Sequence, residues 1–408
     1  MKTGDQVSCT ISGIAVDGIY ITERDGMAVV KLKSGYNIGI HPHQVAFQGD
    51  GEELAVAEPP VVQDTRLPVF SIISTGGTIA SRVDYRTGAV TSRSTADDIV
   101  RAIPELGAIG QYRTRQPFSI LSENMRPAMW IDLARAVYEE IEAGVRGIVV
   151  THGTDTMAYS ASALSFMLDT PVPVIFVGSQ RSADRPSSDN AMNTLCSVAA
   201  ADADLGEVLV CMHATSDDDY CAVHRATRVR KMHTSRRDAF KSIGTEPVAT
   251  VTYPDLQVKR RDVAVRRDAT DLALHDTLEE RCALIPYYPG MDPAILDAHS
   301  SCRGLVIAGT GLGHIGSSML DGIRQLKADG TTIVMTSQCL HGRVCSRVYN
   351  TGRDLLQAGV IEGDDMLPET ALVKLMWVLG QTDEPQEISR LMQENLKGEI
   401  QRRSLYGL

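Results

Sequence analysis

Val69-Phe70-Ser71-Ile72-Ile73-Ser74-Thr75-Gly76-Gly77-Thr78-Ile79-Ala80 joins a short apolar run to a loop of glycine and hydroxyl residues, and this joint decides the fold. A run this short, bounded by turn residues, reads as a strand covered on both faces. The same design returns downstream, with apolar runs at Val69 to Ile73, Gly147 to Val150, Val172 to Val177 and Glu207 to Met212. Loops of Gly, Ser, Thr or Asp follow the runs, and helical patterns are expected to start near Ser94, Asp155 and Ser188. Such alternation builds a doubly wound parallel sheet flanked by helices, an α/β domain over residues 67–268. Ligands of open sheets sit beyond the carboxyl ends of the strands, so the loops after Ile73 and Val150 are where chemistry is sought.

Working outward, residues 1–50 carry short alternating stretches, Gln6 to Ile11, Gly18 to Thr22 and Met27 to Leu32, separated by Gly and Asp. They predict a small N-terminal β-barrel. Residues 51–66 turn acidic and prolyl (Glu52, Glu53, Glu58, Pro59, Pro60), the composition of an exposed linker. From residue 281 to 408 a smaller C-terminal α/β domain is expected, with strands at Ala283 to Ile285, Gly304 to Ala308 and Thr332 to Met335. Its closing helix places Ile388, Leu391, Met392, Leu396 and Ile400 on one face, with Arg390–Glu394 and Glu399–Arg403 as charge pairs four residues apart.

Composition sets the outer limits. The chain has 408 residues, enough for two or three domains of about 150 residues. With 43% apolar and 22% charged residues it is globular rather than disordered. No apolar run approaches the roughly 18 residues that cross a bilayer, and Met1-Lys2-Thr3-Gly4-Asp5 lacks the core of a signal peptide, so a cytoplasmic protein away from membranes is expected. The eight cysteines form no Cys-x-x-Cys pair and read as buried free thiols rather than disulfides or a zinc knuckle. The net charge of −11 argues against a surface built throughout for nucleic acid, yet Arg225 to Arg267 holds 12 Lys or Arg against 4 Asp or Glu. Two readings of that segment stand: a face that meets a polyanion, and a solvated face paired with acidic neighbours.

The chemistry lies where one architectural idea occurs twice. Ser74-Thr75-Gly76-Gly77-Thr78 and Thr151-His152-Gly153-Thr154-Asp155-Thr156 each place a hydroxyl beside glycine at the carboxyl end of a buried strand. Glycine lets backbone N–H groups approach a ligand, which makes Gly76, Gly77 and Gly153 candidates for an oxyanion site. Two threonines facing one cleft suit attack on a carbonyl, provided a neighbour takes the hydroxyl proton. Asp155 follows Thr154 directly and serves either there or as the cap of the next helix. Tyr85 lies in the loop after Thr75, and Lys231, within Arg228-Val229-Arg230-Lys231-Met232-His233, supplies an amine.

Thr75 to Ala80, then His152 to Thr156 about 75 residues on, then Gly178-Ser179-Gln180-Arg181, resemble in order and spacing the L-asparaginase/glutaminase amidohydrolase family over about residues 68 to 395. The resemblance implies a threonine nucleophile at Thr75 assisted by a loop tyrosine, here Tyr85. It also implies a supporting triad of Thr154, Asp155 and Lys231; which threonine attacks first stays open. Where that family uses a Ser-Gln pair for substrate recognition, this chain has Ser122-Glu123, a carboxylate able to pair with a ligand ammonium.

The 66 residues ahead of the catalytic domain narrow the likeness. With them the whole chain resembles the D-subunit family of the archaeal glutamyl-tRNA(Gln) amidotransferases. That likeness implies hydrolysis of L-glutamine on a homodimeric core, in a heterotetramer of two D and two E subunits. Ammonia would pass to the E partner, which holds ATP and Mg2+ and handles Glu-tRNA(Gln). This chain would carry no cofactor and no metal, and it lacks a Gly-x-x-x-x-Gly-Lys-[Ser/Thr] phosphate loop. The alternatives are a free-standing cytoplasmic L-asparaginase and an inert docking protein. Two further motifs are set aside. Gly311-Leu312-Gly313-His314-Ile315-Gly316 has the spacing of a dinucleotide fingerprint, but no acidic residue ends the next strand, so it reads as a tight interdomain turn. His41-Pro42-His43 reads as an exposed turn.

Overall fold

Alternate residues of β1 (Gln6–Ile11) face inward, Val7 and Cys9 being buried, which is the signature of a strand with one solvated face. It pairs with β2 (Ile14–Arg24), and with β3 (Met27–Leu32), β4 (Asn37–Ile40) and β5 (Val45–Gly49) it makes a five-stranded antiparallel sheet in the order β4-β3-β2-β1-β5. This sheet stands where the sequence predicts the small N-terminal β-barrel, with β4 and β5 at the two ends of the strand order. Its small core is Val7, Cys9, Tyr20, Ala28, Val30 and Ile40. The computed structural model describes residues 1–11, 13–24, 26–33, 37–50, 64–76, 82–83, 90–91, 99, 101–182, 185 and 187–403. The linker expected at 51–66 falls mostly outside the described residues, as does the helix start near Ser94.

The second sheet is organised on β6 (Val69–Ser74), followed by β7 (Gln111–Arg115), α1 (Pro127–Glu142), β8 (Ile148–Thr151), α2 (Met157–Met167), β9 (Val174–Val177), α3 (Asn190–Asp202) and β10 (Val208–His213). These strands lie parallel in the order β10-β9-β8-β6-β7. Beyond β10 the chain reverses, and β11 (Tyr220–Arg225), β14 (Ala249–Thr252) and β15 (Val258–Arg260) extend the edge antiparallel to a total of eight strands. A separate hairpin, β12 (Val229–Lys231) with β13 (Phe240–Ser242), leaves the sheet after β11. The sheet is therefore parallel over its centre and antiparallel at one edge. Sequence patterning missed β7 because Gln111-Tyr112-Arg113-Thr114-Arg115 is largely polar, as an edge strand tolerates.

Both faces of the sheet are covered. Ile73, Ile148, Val150, Val174 and Phe176 pack against Leu133, Val137, Leu164 and Phe166 of α1 and α2, while Ile72, Val149, Ile175 and Val177 pack against Met192, Leu195 and Val198 of α3. The third sheet, β16 (Cys282–Pro286), β17 (Gly304–Gly309), β18 (Thr332–Ser337) and β19 (Ile361–Glu362), is four-stranded and parallel. Helices α4 (Leu320–Ala328) and α5 (Asn350–Gln357) cover one face, and α6 (Pro368–Gln381) and α7 (Pro385–Gln393) the other.

Two expectations about this last unit need correction. The closing helix ends at Gln393, so Glu399 and Arg403 are not a helical pair. Glu399 instead turns inward and meets Lys374 of α6 at 2.6 Å, both side chains fully buried. The Arg390–Glu394 pair does form. The glycines after β17 make a tight turn closed by Thr310 and His314, but within the C-terminal unit rather than between units: a Cβ on Gly313 would strike Val344 at 2.7 Å. All eight cysteines are free, four of them buried. His41 and His43 stack with centroids 5.4 Å apart on an exposed turn.

Candidate active site

Register places both threonine loops at one edge of the sheet. Ser74 pairs with Thr151, and Thr151 with Val177, so β6, β8 and β9 end level with one another. Thr75, the first residue past β6, donates through both its N–H and its Oγ1 to the Thr151 carbonyl, each at 3.0 Å. This pair of hydrogen bonds seats Thr75 against the neighbouring strand end, with only 2% of its surface exposed. Gly76 then takes φ +99° with Ile120 main chain 2.5 Å from where a Cβ would stand, so glycine is required twice over, by conformation and by space.

After β8 the chain runs His152, Gly153, Thr154, Asp155. Lys231, the last residue of β12, reaches across and places Nζ 2.9 Å from Thr154 Oγ1 and 2.8 Å from Asp155 Oδ1. Thr154 is 6% exposed and the Lys231 side chain 14%, whereas the Asp155 side chain is 70% exposed. One end of this trio is thus sheltered and the other open to solvent. Asp155 makes no cap to α2, so of its two expected uses the structure has the contact with Lys231.

Ser122 and Glu123 lie on a short turn whose main chain is tied to the same edge, since Thr156 Oγ1 donates to the Ser122 carbonyl at 2.8 Å. Ser122 is buried against Gly153, where a Cβ would come within 2.6 Å of the serine Cβ; Glu123 is exposed. Tyr85 and Gly77 lie outside the described residues. The structure therefore brings together Thr75, Gly76, Ser122, Gly153, Thr154, Asp155 and Lys231.

Sequence reading missed the wall behind Thr154. A Cβ on Gly178 would meet Thr154 Cγ2 and Met157 Cε at 2.7 Å and the His152 carbonyl at 2.8 Å. The loop after Gly178 is held by Asp189, whose carboxylate accepts from Ser179 Oγ and from the Gln180 and Arg181 N–H groups at 2.9–3.1 Å. Asn193 adds a bond to the Gly178 carbonyl at 3.0 Å. Asp189 immediately precedes α3, and its carboxylate makes no cap bond but faces the 179–181 loop. His152 is fully buried beside Phe176, and burial pushes its pKa down to about 4, so the ring is neutral at physiological pH.

The basic segment resolves in favour of paired charge. Ten of its twelve cations contact a carboxylate, among them Arg225 with Glu207, Arg228 with Asp365, Arg237 with Asp218 and Arg261 with Glu246. Among the described residues no group of three or more His, Cys, Asp or Glu is placed to hold a metal ion, and no helix is long and apolar enough to cross a membrane.

Residues 70–264 match the family described as asparaginase, N-terminal, residues 281–392 the glutaminase/asparaginase C-terminal domain, and residues 1–47 the GatD N-terminal domain. The D subunit of the glutamyl-tRNA(Gln) amidotransferase of Methanosarcina mazei is 52% identical, with 98% of each chain covered. The chain belongs to this amidotransferase D-subunit family. Its counterpart in Halobacterium salinarum is 53% identical over 97% of both chains. The thermostable L-asparaginase of Thermococcus kodakarensis is 33% identical, with a TM-score of 0.75 over 82% of this chain and all of that one. The D-subunit family is thus an asparaginase-like amidohydrolase fold carrying an additional N-terminal sheet, and here the resemblance seen in the threonine motifs extends to the whole chain.

Proposed function

We propose that this chain is the glutamine-hydrolysing component of a tRNA-dependent amidotransferase, with Thr75 and Thr154 at the reacting centre. The observation that carries the reading is the bridge of Lys231 Nζ between Thr154 Oγ1 and Asp155, one strand away from Thr75. Lys231 Nζ, 2.9 Å from Thr154 Oγ1, stands within proton-transfer reach of that hydroxyl, and the Asp155 carboxylate holds it in line. Attack on the side-chain amide of glutamine gives a tetrahedral oxyanion, and in this reading the N–H groups of Gly76 and Gly153 are its donors. Collapse forms an acyl ester and releases ammonia, the leaving nitrogen taking up a proton. Water then cleaves the ester to glutamate and regenerates the threonine.

In this reading the exposed carboxylates of Asp155 and Glu123 face the α-ammonium of a free amino acid, and Ser122 packs the loop beneath it. Tyr85 assists Thr75 as the family resemblance implies. The ammonia serves Glu-tRNA(Gln) activated with ATP and Mg2+ on the E partner, in a complex of two D and two E subunits in the cytoplasm.

The test is kinetic. Thr75→Val, Thr154→Val and Lys231→Met each lower glutamine hydrolysis by the full chain about 10² to 10⁴-fold, the range of general acid–base catalysis, with folding intact by circular dichroism. Near-normal turnover in any one removes that residue from the mechanism. An electrophilic glutamine analogue that traps the ester-forming oxygen, read by peptide mass spectrometry, distinguishes Thr75 from Thr154. Formation of Gln-tRNA by the reconstituted complex, measured beside glutamine consumption, separates the amidotransferase from a free-standing asparaginase, which would prefer asparagine and gain nothing from the partner.

A further inference from the structure

Among the described residues Arg228 is the largest fully buried side chain, and it stands three residues before Lys231. Its guanidinium directs all three nitrogens at the C-terminal unit: Nε donates to the Gly398 carbonyl at 3.1 Å, Nη1 to the Asp365 carbonyl at 2.9 Å and Nη2 to Asp365 Oδ2 at 2.8 Å. Arg228 and Asp365 side chains are 2% and 6% exposed. The preceding residue is gripped as well, Thr227 Oγ1 donating to the Lys397 carbonyl at 3.0 Å and Thr370 Oγ1 to the Thr227 carbonyl at 3.1 Å. On the opposite side Ser162 of α2 donates to the Ala226 carbonyl at 3.1 Å. Residues 226–228 are thereby held between the helix that follows the Thr154 loop and the C-terminal unit, and β12 leaves this anchorage to end at Lys231.

A buried ion pair is a poor way to gain stability, because desolvation of both ions offsets most of their attraction. What such a pair provides is a fixed geometry, and a planar fork satisfied at three points leaves the backbone little freedom. We infer that Arg228, clamped by Asp365, is a positioning residue that sets the place of the Lys231 amine against Thr154. The inference rests on the proposed role of Lys231. It connects the smaller C-terminal unit, which supplies none of the named site residues, to the geometry of the reacting centre. A displacement of about 1 Å at a reacting group costs on the order of 10²-fold in rate, so modest loosening of this anchorage is visible in turnover.

Arg228→Lys keeps the charge and removes the fork. In the full chain it lowers kcat for glutamine at least tenfold while KM stays within about twofold, since substrate contacts are untouched. Placed in the Lys231→Met background, the same change leaves the residual rate within about twofold, because the group it positions is gone. Asp365→Asn keeps the side-chain shape and the main-chain carbonyl that accepts from Nη1, and lowers kcat about threefold; it carries the test if Arg228→Lys does not fold. A kcat within twofold of normal in Arg228→Lys or, failing its folding, in Asp365→Asn overturns the clamp. So does an equal fall in both backgrounds, which is the mark of a general structural role. Full turnover in Lys231→Met alone would instead sink the role of Lys231, a different failure read from a different variant.

Discussion

Gly178 and Gly153 show how much of the site is decided by atoms that are absent. A methyl group at Gly178 has nowhere to go, with Thr154 Cγ2 and the His152 carbonyl both inside 3 Å of it. Because one of those neighbours is main chain, the strand end rather than a flexible tip has to move, and Thr154 moves with it. Gly178→Ala is therefore expected to cut glutamine turnover about 10²-fold with small change in KM, as measured by initial rates. At Gly153 the obstructing group is the Ser122 side chain, 2.6 Å from the added Cβ. Gly153→Ala accordingly acts on the recognition turn and raises KM for glutamine several-fold more than it lowers kcat. Equal effects on both constants would place Ser122 outside substrate recognition. The motif residues were legible from sequence, since hydroxyl beside glycine after an apolar run is a local pattern. Gly178 as a wall was not, because its partner Thr154 belongs to another strand.

Among the elements, β11 carries an acid-sensitive group away from the reacting centre. His224 is buried, its Nδ1 2.8 Å from Ser242 Oγ and its Nε2 without a partner. Burial, aided by the Lys241 charge, pushes its pKa down to about 3. In the unfolded chain the same ring titrates near 6.5, so between about pH 6.5 and pH 3 the unfolded state binds the proton and the folded state does not. Stability due to His224 is present above pH 6.5 and is lost progressively as pH falls through that window, the loss amounting to about 2 kcal/mol at pH 5. In His224→Gln the difference in unfolding free energy between pH 7.5 and pH 5, read by urea titration, shrinks by about that amount. His152, pushed down to about 4, contributes in the same direction and remains in the variant. An unchanged difference would mean that the ring is solvated in solution.

At the scale of the whole molecule, the segment after α7 ties the units together. Lys374 of α6 bonds Glu399 at 2.6 Å and the Met392 and Glu394 carbonyls at 3.2 and 2.5 Å, while Glu399 accepts from the Leu396 and Lys397 N–H groups. Burial pulls the Lys374 pKa down, and the Glu399 carboxylate opposes that pull. Lys374→Met strands a carboxylate in the interior and costs about 3–5 kcal/mol in urea unfolding. Glu399→Gln, which keeps an acceptor for the two N–H groups, costs less. The Arg228 clamp uses the same tail through Gly398, so Lys374→Met also lowers kcat, and a stability loss with unchanged kcat would show that the tail and the clamp are independent.

By itself the sequence determined the strand and loop grammar: apolar runs of four to seven residues, the hydroxyl and glycine residues that end them, and a Thr-Asp pair with a distant lysine. These are local properties, written in residue type and spacing. Only the tertiary structure decided that Ser74 and Thr151 lie level, that Lys231 returns from a hairpin outside the sheet to Thr154, and that Glu399 is a buried anchor rather than a helix-surface charge. Register, the reversal of direction after β10, and the inward turn of the tail are set by packing between segments far apart in the chain. Periodicity within one segment carries no trace of them.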